Sequence, residues 1–182
     1  MARIPYLDPE QAPAAVREAF AALPVHLNVF KLVAHAETGF RPFLRYGGAI
    51  LGRQALPARL RELAILRVAR LAEAEYEWVQ HVAIARAAGV REEQIAALER
   101  GDLAARCFDA DERLLLEFTD DVVRDGRPPR ERFAALAARL SHRELVELVL
   151  AIGFYLALAR LMTTFEIDLD PPAGDRVVAS IR

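Results

Sequence analysis

The spacing of apolar residues follows the 3.6-residue period of an α-helix along almost the whole 182-residue chain. No stretch alternates apolar and polar residues for long enough to predict a β-strand, and Val177-Val178-Ala179 is too short to count as one. The pattern predicts an all-α fold of seven to nine helices around one core. Their approximate ranges are 13–22, 27–34, 40–51, 57–71, 76–88, 92–100, 109–123, 131–140 and 141–165.

Two helix starts carry a specific signal. Asp109 with Glu112, and Ser141 with Glu144, have the spacing of a capping box, in which each side chain bonds the backbone N–H of the other residue. The second box opens a very apolar helix, whose uncharged run over residues 148–159 is shorter than the ~20 residues of a membrane span. We therefore expect a buried core helix there. The segment after Asp168, with Pro171, Pro172 and Gly174, is expected to be an irregular tail.

Composition excludes several classes of protein. No linker rich in glycine or serine divides the chain, so residues 1–182 are expected to form one domain. With 24 basic and 26 acidic residues the net charge is −2, which argues against a nucleic-acid partner. A single cysteine cannot form an internal disulfide, and the first residues contain no apolar signal core. The expectation is a cytoplasmic protein without a membrane partner.

The chemistry of the chain is concentrated between Arg61 and Gly89. Glu77 and His81 are four positions apart, so on a helix their side chains lie on the same face. Tyr76 and Trp78 flank Glu77 and would give the pair apolar surroundings, which suit general acid–base chemistry. A Glu–His pair of this spacing is also common on solvated helix faces, so spacing alone leaves both interpretations open. No other histidine has metal-ligand spacing to His81, and no metal is expected.

The same segment resembles the core of the carboxymuconolactone decarboxylase family, which includes alkyl hydroperoxidase D. The resemblance rests on Arg61-Glu62-Leu63, on the run from Glu75 to His81, and on Ala85-Arg86-Ala87-Ala88-Gly89. It extends over nearly the whole chain, from Arg3-Ile4-Pro5-Tyr6 to Gly153-Phe154-Tyr155, with a core motif region at about 40–125 and C-terminal helices at about 129–165. It implies a multi-helix bundle of the alkyl hydroperoxidase D type.

The peroxidase branch of that family has a Cys-x-x-Cys motif followed four residues later by His, with a Glu on the preceding helix. Aligned on His81, the two cysteine positions hold Ala74 and Glu77, and the distant Glu is Glu62. A thiol cycle needs an attacking and a resolving cysteine, and this chain has only Cys107, outside the motif. Glu62 can approach His81 only if the helix turns back near residues 72–74, where the sequence contains no breaker.

The resemblance implies catalytic roles for Glu62, Glu77 and His81, with Tyr76 and Trp78 as substrate-binding walls. The expected activity is cofactor-free proton transfer on a small carboxylated lactone or related organic acid, as in the decarboxylase branch. Arg67, Arg70 and Arg160 are candidate anchors for the carboxylate, or structural ion-pair partners.

Two alternatives remain open at this point. One is an alkylhydroperoxidase-like antioxidant protein, and the other is a non-catalytic oligomer that binds a small ligand. The resemblance also implies a homo-oligomer, either a trimer or a hexamer. The nearly continuous apolar surface of the helix at 145–162 suits burial on several sides.

Overall fold

The computed structural model describes residues 1–181, and the side chains of all of these except residues 175, 180 and 181. Residue 182, the end of the predicted domain, lies outside this range. The regular secondary structure of the described residues is entirely helical, as the apolar period predicted. The helices, in chain order, are α1 (Ala14–Ala21), α2 (Asn28–Val33), α3 (Glu37–Gly52), α4 (Ala58–Leu71), α5 (Glu75–Ala87), α6 (Glu92–Glu99), α7 (Ala110–Asp125), α8 (Arg130–Ala137), α9 (His142–Thr164) and α10 (Gly174–Ile181).

Helix α4 lies at the centre of the bundle and packs against α5, α7 and α9. Every residue from Arg61 to Ala69 is buried, so this helix has no solvent-facing side over nine residues. Leu63, Ile65 and Leu66 enter the main core, together with apolar residues of α7 and α9. Arg61 and Glu62 are buried in the same stretch. Charged groups at such a position require partners within the protein.

The turn between α4 and α5 occurs at residues 72–74, although no glycine or proline is present there. Glu73 adopts a left-handed backbone conformation with φ of 55°. The N–H of Ala74 donates to the carbonyl of Ala69 at 2.8 Å, and the N–H of Glu73 donates to the carbonyl of Arg70 at 3.3 Å. These two bonds form a Schellman motif, which ends a helix and reverses the chain. The reversal places α5 against α4.

Both predicted capping boxes are present. At α7, Asp109 and Glu112 exchange side-chain-to-backbone hydrogen bonds, and at α9 Ser141 and Glu144 do the same. Helix α9 packs against α3, α4 and α7. It is the one helix in residues 1–181 that is long and apolar enough to cross a membrane by length and composition. A core helix passes the same test, and the packing of Leu148, Ala151 and Ile152 in the main core gives α9 that role.

The C-terminal segment differs from the irregular tail that was expected, because residues Gly174–Ile181 form helix α10. With α10, the described chain contains ten helices rather than seven to nine. Helix α10 packs on α5 and α3. Gly174 approaches α5 so closely that a Cβ atom there would lie 2.7 Å from the carbonyl oxygen of Gln80. Tertiary packing of this kind stabilises a short helix that local pattern does not predict.

Candidate active site

A cavity of about 150 Å³ lies between α2, α3, α5, α9 and α10. Its walls are mostly apolar and include Phe30, Phe43, Leu44, Phe154, Leu158 and Met162. Helix α5 supplies most of the polar groups, since Tyr76, Glu77, Gln80 and His81 all border the cavity. A mostly apolar cavity with a few convergent polar groups is the usual form of a small-molecule site.

His81 is held by a buried chain of polar contacts that leads back into α4. Its Nδ1 lies 2.8 Å from Oε2 of Glu62, and the other oxygen of Glu62, Oε1, accepts from Nε of Arg61 at 3.0 Å. Glu62 is fully buried, and Arg61 and His81 are nearly so. Because Glu62 occupies Nδ1, the opposite ring nitrogen, Nε2, is the one left for a ligand in the cavity. A carboxylate on one imidazole nitrogen fixes the tautomer and orientation of the ring.

Glu77 lies one turn before His81 and borders the same cavity, as the i,i+4 spacing predicted. Its side chain does not bond to His81. Both carboxyl oxygens are buried, and neither has a hydrogen-bond partner among the described residues. Burial raises the pKa of Glu77 well above its usual range, and the nearby charge of Glu62 raises it further. The neutral acid is therefore favoured, and its O–H is unused.

Tyr155 of α9 is a part of this site that the sequence did not reveal. Its ring stands edge-on to His81, with 4.6 Å between ring centroids, and its residue borders the cavity. Burial raises the pKa of Tyr155, and the negative charge of Glu62 acts in the same direction. The hydroxyl thus stays protonated. Tyr155 sits in a continuous apolar run of α9, where no local pattern distinguishes it from a core residue.

Tyr76 is a wall of the cavity, as expected, and it also braces the C-terminal segment. Its hydroxyl donates to Asp170 and accepts a long hydrogen bond from the N–H of Val29. Gln80, which the sequence did not single out, holds the same segment. Its amide nitrogen donates to the carbonyl oxygens of Asp170 and Pro171, and its Oε1 accepts from the N–H of Ala173 at 2.9 Å.

Trp78 does not border the cavity, and the expectation that it forms a wall is corrected. It lies in the main core, with the guanidinium of Arg70 stacked 5.0 Å from its ring centroid. The reason is helical geometry. Residues two positions apart point to nearly opposite sides of a helix, so Tyr76 and Trp78 cannot both face one cavity.

None of the three candidate carboxylate anchors reaches the cavity. Arg67 makes two hydrogen bonds with the carboxylate of Asp120, at 2.5 and 2.6 Å. Arg70 pairs with Glu75 at 3.5 Å, and Arg160 is exposed on α9. The ion-pair interpretation therefore holds for Arg67 and Arg70. Among the described side chains, those that line the cavity include no arginine or lysine.

Among the described residues, neither the thiol nor a cluster of metal-ligating side chains is found on the cavity wall. Cys107, half-buried between α6 and α7, is not among the residues that line it. The thiol instead lies 3.5 Å from the carbonyl oxygen of Glu93. In the described part of the chain, no group of three or more His, Cys, Asp or Glu side chains could hold a metal ion.

The fold is that of the alkylhydroperoxidase D-like proteins. Over 93% of this chain and 92% of that chain, it matches a peroxidase-related protein with an AhpD core from Ralstonia eutropha JMP134, with a TM-score of 0.79 and 21% identity. A peroxidase-related protein from Silicibacter sp. TM1040 matches over 100% and 96% of the two chains, with a TM-score of 0.78 and 17% identity. The debrominase Bmp8, whose structure with 2,3,4-tribromopyrrole is known, matches over 97% and 96%, with a TM-score of 0.74 and 18% identity.

One region of the sequence also matches a family model. The model of the carboxymuconolactone decarboxylase family matches residues 38–121, a range that contains Glu62, Glu77 and His81. The chain resembles this family over residues 38–121, and it lacks the cysteine pair of the peroxidase branch. No curated protein matches the sequence significantly.

Proposed function

We propose that this chain is a cofactor-free enzyme that moves a proton on a small ring compound, with His81 as the base. The observation that carries the proposal is the hydrogen bond between His81 Nδ1 and Glu62, which leaves Nε2 for a substrate in a mostly apolar cavity. With its proton on Nδ1, the ring donates to Glu62 and has a lone pair on Nε2. That nitrogen can take a proton from a carbon acid next to a carbonyl group.

Glu77 acts in this scheme as the acid. When a C–H bond next to a carbonyl is broken, negative charge develops on the carbonyl oxygen. A buried neutral carboxyl group can donate a hydrogen bond, or its proton, to that oxygen. Glu77 has the required burial, no competing partner among the described residues, and a pKa raised by burial and by Glu62. Tyr155, whose ring packs against His81, helps to keep the imidazole in place.

A lactone or related carbonyl ring fits the cavity as substrate. An engineered cavity of about 150 Å³ lined by Leu, Ile and Phe holds benzene, so one ring is the expected size. The substituted pyrrole bound by Bmp8 is also a single ring. The carboxylated lactone implied by the family resemblance has weaker support, since the described cavity wall offers no cation to a carboxylate.

The test is exchange of substrate hydrogen with deuterium from solvent, which detects proton abstraction without a known product. Cyclohexanone and γ-butyrolactone serve as probes, and exchange is followed by NMR. We expect His81→Asn to slow exchange by at least about 100-fold, the usual contribution of a general base. His142→Asn, an exposed histidine, is the matched control and should leave the rate unchanged. Equal rates in wild type and His81→Asn would refute the assignment of His81.

A non-catalytic binding protein is the second candidate, favoured by the predominantly apolar cavity wall. It predicts saturable binding of a ring compound without any exchange. An antioxidant role has less support, because the only thiol lies outside the cavity wall. Peroxide turnover with a thiol reductant that disappears only in Cys107→Ser would restore it.

We also propose that the protein acts in the cytoplasm as a homo-oligomer, a trimer or a hexamer, with no nucleic-acid or membrane partner. The support is an apolar strip on the outside of α9, where Val146, Val149 and Leu150 are 59%, 43% and 45% exposed. Apolar patches of this kind often mark protein interfaces. Light scattering at micromolar concentration tests the proposal, and a stable monomer would contradict it.

A further inference from the structure

The cavity wall contains a buried carboxyl group whose hydrogen-bonding capacity is entirely unused within the described residues. Glu77 is 2% exposed, and neither oxygen has a partner in the described residues. Three other polar side chains on the wall are already engaged on at least one side. Tyr76 and Gln80 bond the C-terminal segment, and His81 bonds Glu62. An unpartnered buried carboxyl group that borders a cavity is available to form a hydrogen bond with a ligand.

The charges around the cavity determine which ligands can use that group. Glu62 lies behind His81, and its own cation, Arg61, is bound to it rather than turned to the cavity. No described arginine or lysine side chain lines the wall. An anion in this space would lose part of its hydration and would find no arginine or lysine side chain on the described wall, while the negative charge of Glu62 lies behind His81.

We propose that the cavity selects an uncharged single-ring ligand with one hydrogen-bond acceptor, which Glu77 holds through its O–H, and that it rejects the corresponding anion. This inference names the substrate class of the same site. It rests on the proposed function, because only that function makes the bound ligand a substrate. Neutral carbonyl rings such as lactones, cyclic ketones and amides belong to this class. Carboxylates of the same shape do not.

Benzamide and benzoate are suitable probes, since they share one ring and nearly one shape but differ in charge. Their dissociation constants are measured at pH 7.5 by calorimetry or ligand-observed NMR. We expect benzamide to bind at least about ten-fold more tightly than benzoate. Glu77→Ala should weaken benzamide binding by about three- to ten-fold, the loss of one hydrogen bond. Glu75→Gln, an exposed neighbour on the same helix, is the matched control and should have no effect.

Three outcomes would overturn the inference. These are benzoate binding as tightly as benzamide, Glu77→Ala leaving benzamide binding unchanged, and failure of both probes to bind at millimolar concentration. Benzamide has no carbon acid next to its carbonyl, so its binding does not depend on catalysis. Selective benzamide binding without deuterium exchange of the ketone and lactone probes would leave the inference standing and remove the proposed proton transfer.

Discussion

Two buried glutamates in this molecule have opposite surroundings. Glu112, at the start of α7, and Glu77, at the cavity, are each 2% exposed. Glu112 pairs with Arg59 and accepts from the amide of Gln94 at 2.9 Å and from the N–H of Asp109 at 3.0 Å. Glu77 has no partner in the described structure. Burial raises the pKa of both, but at Glu112 the bonds from Asp109, Arg59 and Gln94 outweigh it and lower the pKa overall.

The hydrogen bonds of Glu112 stabilise the fold, whereas the carboxyl group of Glu77 makes no such contribution. A buried polar group without a partner costs about 1–3 kcal/mol, a large fraction of the stability of a domain. Glu112 avoids that cost because three elements converge on it. Glu77 does not avoid it, and uncompensated groups of this kind in native proteins are concentrated at functional sites. Removal of the carboxyl group should therefore lower the free energy of unfolding at Glu112 and raise it at Glu77.

The largest effect is expected at Glu112. Glu112→Ala removes the acceptor for Arg59 and Gln94 and destroys the capping box of α7. The free energy of unfolding should fall by about 2–4 kcal/mol, less than for a fully enclosed pair because Arg59 is one-third exposed. Urea denaturation followed by circular dichroism measures it. A loss below about 1 kcal/mol would mean that the convergence on Glu112 contributes little.

Glu77→Leu should have the opposite effect. The substitution replaces an unpartnered carboxyl group with an apolar side chain of similar volume, against walls that are already apolar. We expect a gain of about 1–3 kcal/mol in the same urea experiment, together with loss of deuterium exchange. Destabilisation by Glu77→Leu would show that the carboxyl group has a structural partner, and the contrast with Glu112 would disappear.

The two residues should also give stability opposite dependences on pH. Glu77 has a raised pKa in the folded protein, so above the unfolded pKa, near 4.5, the folded state holds a proton that the unfolded state has lost. Its contribution to stability therefore falls as pH rises from about 4.5 to the folded pKa. Glu112 has a lowered pKa, so its contribution is present above about 4.5 and is lost as pH falls through the folded pKa.

Urea titrations between pH 3 and pH 9 check both signs. The advantage of Glu77→Gln over wild type should grow as pH rises above about 4.5, by about 1.4 kcal/mol for each unit of pKa shift. The disadvantage of Glu112→Gln should shrink as pH falls below about 4.5. A difference between Glu77→Gln and wild type that does not change with pH would mean that Glu77 titrates normally.

Sequence pattern predicted those parts of the fold in which local and tertiary preferences agree. Nine helices follow from the apolar period, and the capping boxes at Asp109 and Ser141 follow from spacing. Helix α10 was missed because its stability comes from contact with α5, which no local signal records. The turn at Glu73 was left open for the same reason. A left-handed glutamate is uncommon, and only the packing of the two helices it joins requires it here.

The sequence predicted several residues of the candidate site, but not which of them form hydrogen bonds with each other. The i,i+4 rule places Glu77 and His81 at one cavity. Glu62 came from the family resemblance, and its bond to His81 spans 19 residues of sequence. Spacing could not show that His81 bonds Glu62 rather than Glu77. The same helical geometry, applied to Tyr76 and Trp78, would have excluded Trp78 from the wall.

A third glutamate, Glu73, affects stability through its backbone conformation rather than through its carboxyl group. Glu73 is exposed, and its left-handed conformation costs a residue with a Cβ about 1 kcal/mol. Glu73→Gly should therefore raise the free energy of unfolding by about 0.5–1 kcal/mol, since glycine adopts this conformation freely but gives up more chain entropy on folding. Glu73→Gln should change it little, because only the charge is removed. Glu75→Gly, at the first residue of α5, should lower stability instead, by up to about 1 kcal/mol, since Glu75 is not left-handed and glycine is unfavourable in a helix. Equal effects of glycine at positions 73 and 75 would show that the turn between α4 and α5 carries no backbone strain.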